Sequence, residues 1–125
     1  MTALVAIGMG AILGAWSRWG LSLLLNPIFP TLPIGTLVSN LAGGYVIGVL
    51  VEYLGQNPAL PPEVRLFAIT GFLGSLTTFS TFSAESVGLL TRGDYGWALA
   101  HIGVHLGGSL LMTILGIQTV KLLTA

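Results

Sequence analysis

Apolar residues run along this chain in four stretches, about 3 to 25, 34 to 54, 66 to 90 and 96 to 122, parted by short segments rich in proline, glycine and charge. Crossing a hydrocarbon core about 30 Å thick takes roughly 20 residues at a helical rise of about 1.5 Å each, and every stretch reaches that length. The first connection, Asn26 to Pro33, holds three prolines, and so does the second, Gly55 to Pro62. Proline interrupts helix and biases the preceding residue toward extended backbone. The third is the tight polar turn Thr91-Arg92-Gly93-Asp94, followed by Tyr95 and Trp97, an aromatic pair suited to the headgroup level. The pattern predicts an all-α membrane protein: residues 1–125 form a single four-helix transmembrane domain, and nothing remains for a soluble one.

Composition sharpens this picture. Hydrophobic residues make up 54% of the chain and charged residues 6%, against roughly a quarter charged in soluble domains. The eight formal charges are scattered, so no basic patch for nucleic acid exists and nucleic acid is not an expected partner. Met1 to Gly14 carries no charge and the apolar run continues to Leu25, which reads as a retained spanning helix and not a cleaved signal peptide. There is no cysteine, hence no disulfide or thiolate metal site. No Gly-rich phosphate cradle followed by lysine occurs, and the chain is expected not to be an enzyme.

Size and charge both bear on assembly. Four helices of this length pack solidly and leave little room for an internal path, so an oligomer is expected. With the N-terminus inside, Arg65 and Lys121 fall on the cytoplasmic side and Arg92 on the other, with Arg18 near that end of its helix. The positive-inside bias is close to nil. Such a chain can insert both ways, and two opposed copies can pair antiparallel about a two-fold axis in the membrane plane.

Because lipid offers no hydrophobic drive for helix association, small and polar residues mark packed faces. Gly10, Gly14 and Arg18 recur at four-residue spacing in the first helix, and Thr36, Asn40, Gly44 and Gly48 do so in the second. His101, His105, Ser109 and Thr113 form a polar stripe in the fourth. The glycines read as close packing. Asn40, deep in an apolar helix, must face protein or water, because an unpaired polar group in hydrocarbon costs several kcal/mol. It is either interhelical glue or part of a wet path. His101 and His105 have a spacing that could share a metal, yet no acid or third histidine stands near in sequence, which favours packing or a wet crevice.

The third stretch is unlike a lipid-facing helix. Six hydroxyl residues fall between positions 75 and 83, within Gly71-Phe72-Leu73-Gly74-Ser75-Leu76-Thr77-Thr78-Phe79-Ser80-Thr81-Phe82-Ser83. Hydroxyls compete for backbone groups and glycine loosens the ladder, so the third helix is expected to be broken near its middle, between Gly74 and Thr78. Carbonyls freed there would suit a hard cation such as sodium. Phe79 and Phe82 share a face, either as core or with ring edges that, beside hydroxyl and amide donors, can hold a small anion. Glu85, an ionisable residue within a span, is a functional candidate that either lines a vestibule or pairs with Arg18.

These residues, with Gly35-Thr36-Leu37-Val38-Ser39-Asn40-Leu41-Ala42-Gly43 and Gly14-Ala15-Trp16-Ser17-Arg18, resemble the CrcB/Fluc fluoride channels across all four helices. The resemblance implies an antiparallel dual-topology homodimer with two pores in the cell (inner) membrane. It would export fluoride ion passively from the cytoplasm and so lower its toxicity. It also implies a structural, non-transported sodium ion (Na+) on main-chain oxygens of Gly74 and Thr77. Asn40 would then be the pore amide, Phe79 and Phe82 the pore phenylalanines, and Ser80, Thr81 and Ser109 hydroxyls of the anion path. Arg18 and Glu85 are vestibule or charge candidates. Ser75 stands where many relatives have glycine, a change a carbonyl ligand tolerates. The rival readings are a small proton-coupled multidrug exporter, which wants a carboxylate in the first helix where this chain has Arg18, and a non-transporting assembly subunit.

Overall fold

A computed structural model describes residues 2–125. Helix α1 covers Thr2–Leu25 and α2 covers Ile34–Gln56. Helix α3, residues 62–76, opens as α-helix at Pro62–Arg65, winds as π-helix through Leu66–Leu73 and closes as α-helix at Gly74–Leu76. Thr77 and Thr78 are extended, with φ/ψ of −93°/154° and −150°/116°, before α4 begins at Phe79–Thr91. Helix α5 covers Tyr95–Leu123. The chain is all-helical, with four helical spans long and apolar enough to cross a membrane, the third comprising α3 and α4.

Each connection deals with some of the backbone groups that a helix end leaves open. Asn26 Oδ1 accepts the Gly35 N–H at 2.7 Å, tying the first connection to the start of α2. Pro62 opens α3, where a missing N–H costs nothing. Gly93 has φ of 80°, and Asp94 N–H reaches Leu89 O at 2.9 Å while Gly93 N–H reaches Leu90 O at 3.1 Å, the left-handed glycine stop that closes α4.

Large apolar side chains face outward: Trp16, Trp19, Leu24 and Leu110 are all more than half exposed, as a bilayer permits. The inside mixes a few apolar side chains, Leu73, Leu76 and Leu89 among them, with the buried polar residues Thr36, Ser39, His101 and His105. Packing runs chiefly between α1 and α3 and between α2 and α5. Glycine lets each pair close to backbone contact. A Cβ on Gly71 would lie 3.1 Å from the Gly10 Cα, and one on Gly116 would lie 3.1 Å from the Gly48 Cα. Hydrogen bonds cross the second pair as well, from Thr113 Oγ1 to Gly44 O at 2.9 Å and from Tyr45 OH to Thr119 Oγ1 at 2.8 Å.

A Cβ at Gly48 would meet the Thr113 carbonyl, whereas at Gly20 nothing lies within 4 Å. Gly48→Ala is therefore expected to destabilise the fold by about 1–3 kcal/mol and Gly20→Ala to stay within about 0.5 kcal/mol of the parent. Thermal unfolding in detergent, followed by tryptophan fluorescence, measures both; equal midpoints for the two variants would reject backbone contact as the basis of the α2–α5 pairing.

Candidate functional site

The site is built around the two extended residues between α3 and α4. An N–H and a C=O taken out of a helix at membrane depth must find partners in protein or water. Asn40, projecting from α2, meets both groups of Thr78: its Oδ1 accepts the Thr78 N–H at 2.8 Å and its Nδ2 donates to the Thr78 carbonyl at 3.1 Å. Thr78 in turn caps α4, its Oγ1 accepting the Thr81 N–H at 3.1 Å. This is the N-cap role that threonine fills well. Thr77 folds back on α3, with N–H and Oγ1 both donating to Leu73 O, at 3.1 and 2.8 Å. On the far side, Arg18 Nε donates to Ser75 O at 3.0 Å, stopping the end of α3 with a cation from α1.

Among the backbone carbonyls that lose their ordinary helical donors in this arrangement are those of Gly74 and Thr77. In a continuous helix Gly74 O would receive the Thr78 N–H and Thr77 O the Thr81 N–H. Here those protons go to Asn40 Oδ1 and Thr78 Oγ1. Gly74 and Thr77 both line an open groove of about 520 Å³ on one face of the molecule.

Asn40, Thr78, Phe79, Phe82, His105 and Ser109 line the same groove. Phe79 is 80% exposed, and its ring lies 5.5 Å from that of Phe82 at an interplanar angle of 56°. Phe82 is backed by imidazoles, 4.7 Å from His105 and 5.5 Å from His101 between ring centroids. Ser80 lies within hydrogen-bond reach of Thr78, Oγ to Oγ1 at 3.3 Å. Thr81 is half-buried, and its N–H is the one held by Thr78. No lysine or arginine is among the described residues lining the groove.

Glu85 and Arg18 do not meet. Glu85 Oε2 accepts from Thr36 Oγ1 at 2.7 Å, and Oε1 lies 3.2 Å from His101 Nε2. Arg18 stays with Ser75 on the opposite side of α3. Glu85 also lines another hollow, of about 370 Å³, with Pro30, Ala84 and Arg92. The sequence shows no acid near the two histidines, yet α4 brings Glu85 to them; ligand atoms of Glu85, His101 and His105 all lie within 4.8 Å of one another. Sequence reasoning also missed Thr36 as the Glu85 partner and His105 as an Asn40 neighbour, at 3.1 Å between Nδ1 and Nδ2. The available signal was the matched four-residue spacing of Thr36 with Asn40 and of His101 with His105, two polar stripes that one carboxylate helix can bridge.

Residues 5–117 match the family model described as CrcB-like protein, Camphor Resistance (CrcB). Among curated proteins, one from Nitrosospira multiformis is 67% identical over 119 residues, spanning 95% of this chain and 93% of the relative. One from Cupriavidus pinatubonensis is 60% identical over 119 residues, spanning 95% and 94%. One from Pseudomonas putida is 55% identical over 119 residues, with the same coverage of 95% and 94%. All three bear the name fluoride-specific ion channel FluC. With a family model covering most of its length and relatives this similar end to end, the chain belongs to the CrcB-like family of multi-pass membrane proteins.

Proposed function

We propose that this chain conducts fluoride passively out of the cytoplasm, across the cell (inner) membrane, as an antiparallel homodimer with two pores. The observation that carries the reading is Phe79. Its ring stands 80% exposed beside Phe82 at a mainly apolar groove that also takes in Asn40, Thr78 and Ser109, an arrangement that a second copy would roof. Relatives up to 67% identical that bear the name fluoride-specific ion channel support it. Ring edges carry partial positive charge, so the two phenylalanines offer a small anion weak, non-trapping contacts. Ser80, Thr81 and Ser109 supply hydroxyl donors along the path, and Glu85 and Arg18 are the charge candidates flanking it. Asn40 is the pore amide; because its protons already serve Thr78 and His105, an anion reaching it shares one of those donors. The weak binding that results favours exit as well as arrival.

The donor set at the break fits a structural sodium ion. Gly74 and Thr77 carbonyls, freed because Asn40 and the Thr78 hydroxyl take their helical donors, are hard oxygen ligands on the open face. When bound, the cation supplies a resident, non-transported positive charge shared between the copies. The multidrug-exporter alternative gains no support, since α1 has Arg18 and no carboxylate.

Purified protein in fluoride-loaded liposomes tests the reading directly. A fluoride electrode should record efflux in sodium-containing buffer without any proton gradient; no efflux under those conditions would leave the family fold with another role. Phe79→Ile and Phe82→Ile are each expected to cut efflux at least about tenfold, equivalent to about 1.4 kcal/mol of barrier, with the dimer still eluting intact. Normal efflux in both variants would return the rings to packing. Asn40→Asp replaces the donor amide by a carboxylate and is expected to stop conduction in the same assay. Replacing sodium with N-methylglucamine should weaken efflux, and indifference to the exchange would remove the carbonyl site.

A further inference from the structure

The hydrogen bonds joining Thr78, Asn40 and His105 have a fixed direction. Asn40 Oδ1 takes the Thr78 N–H and Nδ2 gives to the Thr78 carbonyl, so turning the amide over would set donor against donor and acceptor against acceptor. The other Nδ2 proton faces His105 Nδ1 at 3.1 Å, and that nitrogen must therefore offer its lone pair. A neutral imidazole that accepts at Nδ1 carries its own proton at Nε2, and a doubly protonated ring cannot accept at all.

We propose that His105 is a positioning residue for conduction: as the acceptor for Asn40 it holds the amide against Thr78, and acid, by protonating the ring, releases the clamp and lowers current. The proposal rests on the conduction reading given above. Phe82, 4.7 Å from the His105 ring, shares any movement of the imidazole. The ionisable groups facing His105 are His101, one turn earlier on α5 with ring centroids 4.4 Å apart, and Glu85 from α4. Helix α2 presents Asn40 and Thr36, neither titratable, while Arg18 is engaged with Ser75. Glu85 Oε1 and His101 Nε2 face each other at 3.2 Å, while His105 Nε2 is buried without a hydrogen-bond partner. The spacing of this cluster also suits a metal ion, but a His105 ring that accepts from Asn40 at Nδ1 carries its proton at Nε2 and has no lone pair left for a metal.

Currents in planar bilayers read this best, because neutral hydrogen fluoride crosses lipid without carrying charge. From about pH 7.5 down to about pH 4, parent current should fall at least about twofold as the ring takes its second proton. His105→Gln, whose amide oxygen accepts from Asn40, should conduct at neutral pH and lose the acid response. His105→Leu should lose at least about tenfold at every pH. Parent current that ignores pH, or a Gln variant with the parent's profile, overturns the proposal, including where the Leu variant fails to fold. In protein carrying nitrogen-labelled histidine, His105 should show a bare Nδ1 and a protonated Nε2 at neutral pH. The opposite tautomer overturns the clamp whether or not current flows, whereas the expected tautomer with no parent current at any pH counts against conduction alone.

Discussion

The grip of one side-chain amide on one peptide unit organises this molecule. Thr78 places an N–H and a C=O outside any helix at the depth where lipid can satisfy neither, and Asn40 takes both. Without that partner the two extended residues would each leave costly polar groups in a medium that cannot solvate them. With it, the third span leaves helix at Thr77 and Thr78. That break lets Thr78 start a new helix, frees Gly74 and Thr77 carbonyls, and precedes the Phe79 and Phe82 rings, which lie 5.5 Å apart. Arg18 holds the opposite side by closing on Ser75.

Around this break the packing inverts the usual order of a soluble protein. Much of the bulk is on the outside, with Trp16, Trp19 and Leu24 exposed, and the interior mixes glycine, hydroxyls and two histidines with a few leucines such as Leu73 and Leu89. The logic is that of the solvent: a bilayer gives no reward for hiding leucine, so cohesion comes from backbone contact and interhelical hydrogen bonds. Gly10 with Gly71, and Gly48 with Gly116, bring α1 to α3 and α2 to α5 close enough for the polar side chains between them to reach their partners.

Much of this organisation is legible in the residues because it is local. Long apolar stretches reveal four spans, prolines at 27, 30, 33, 58, 61 and 62 reveal where chain must leave helix, and Gly93 supplies the left-handed turn before α5. From the hydroxyl-rich run Ser75 to Ser83, Thr77, Thr78, Phe79 and Phe82 line the groove, with Asn40 and Ser109 from other helices. Contacts between helices are a different matter. Spacing says that Glu85 shares a face with its neighbours on α4, but not that this face meets Thr36 and His101 rather than Arg18. The binding of His105 to Asn40 depends on the relative rotation of α5 and α2, a quantity that no single helix encodes.

The π-helical winding of Leu66–Leu73 was invisible for the same reason, since its composition is that of an ordinary apolar helix. Its looser turns amount to slack in the register. Losing one residue there can be absorbed by rewinding a π turn as an α turn, leaving everything downstream in place. One residue lost between Phe79 and Phe82 has no such reserve and would swing the second ring by roughly 100° about the helix axis. The register of this span therefore has more slack in the π segment than between Phe79 and Phe82.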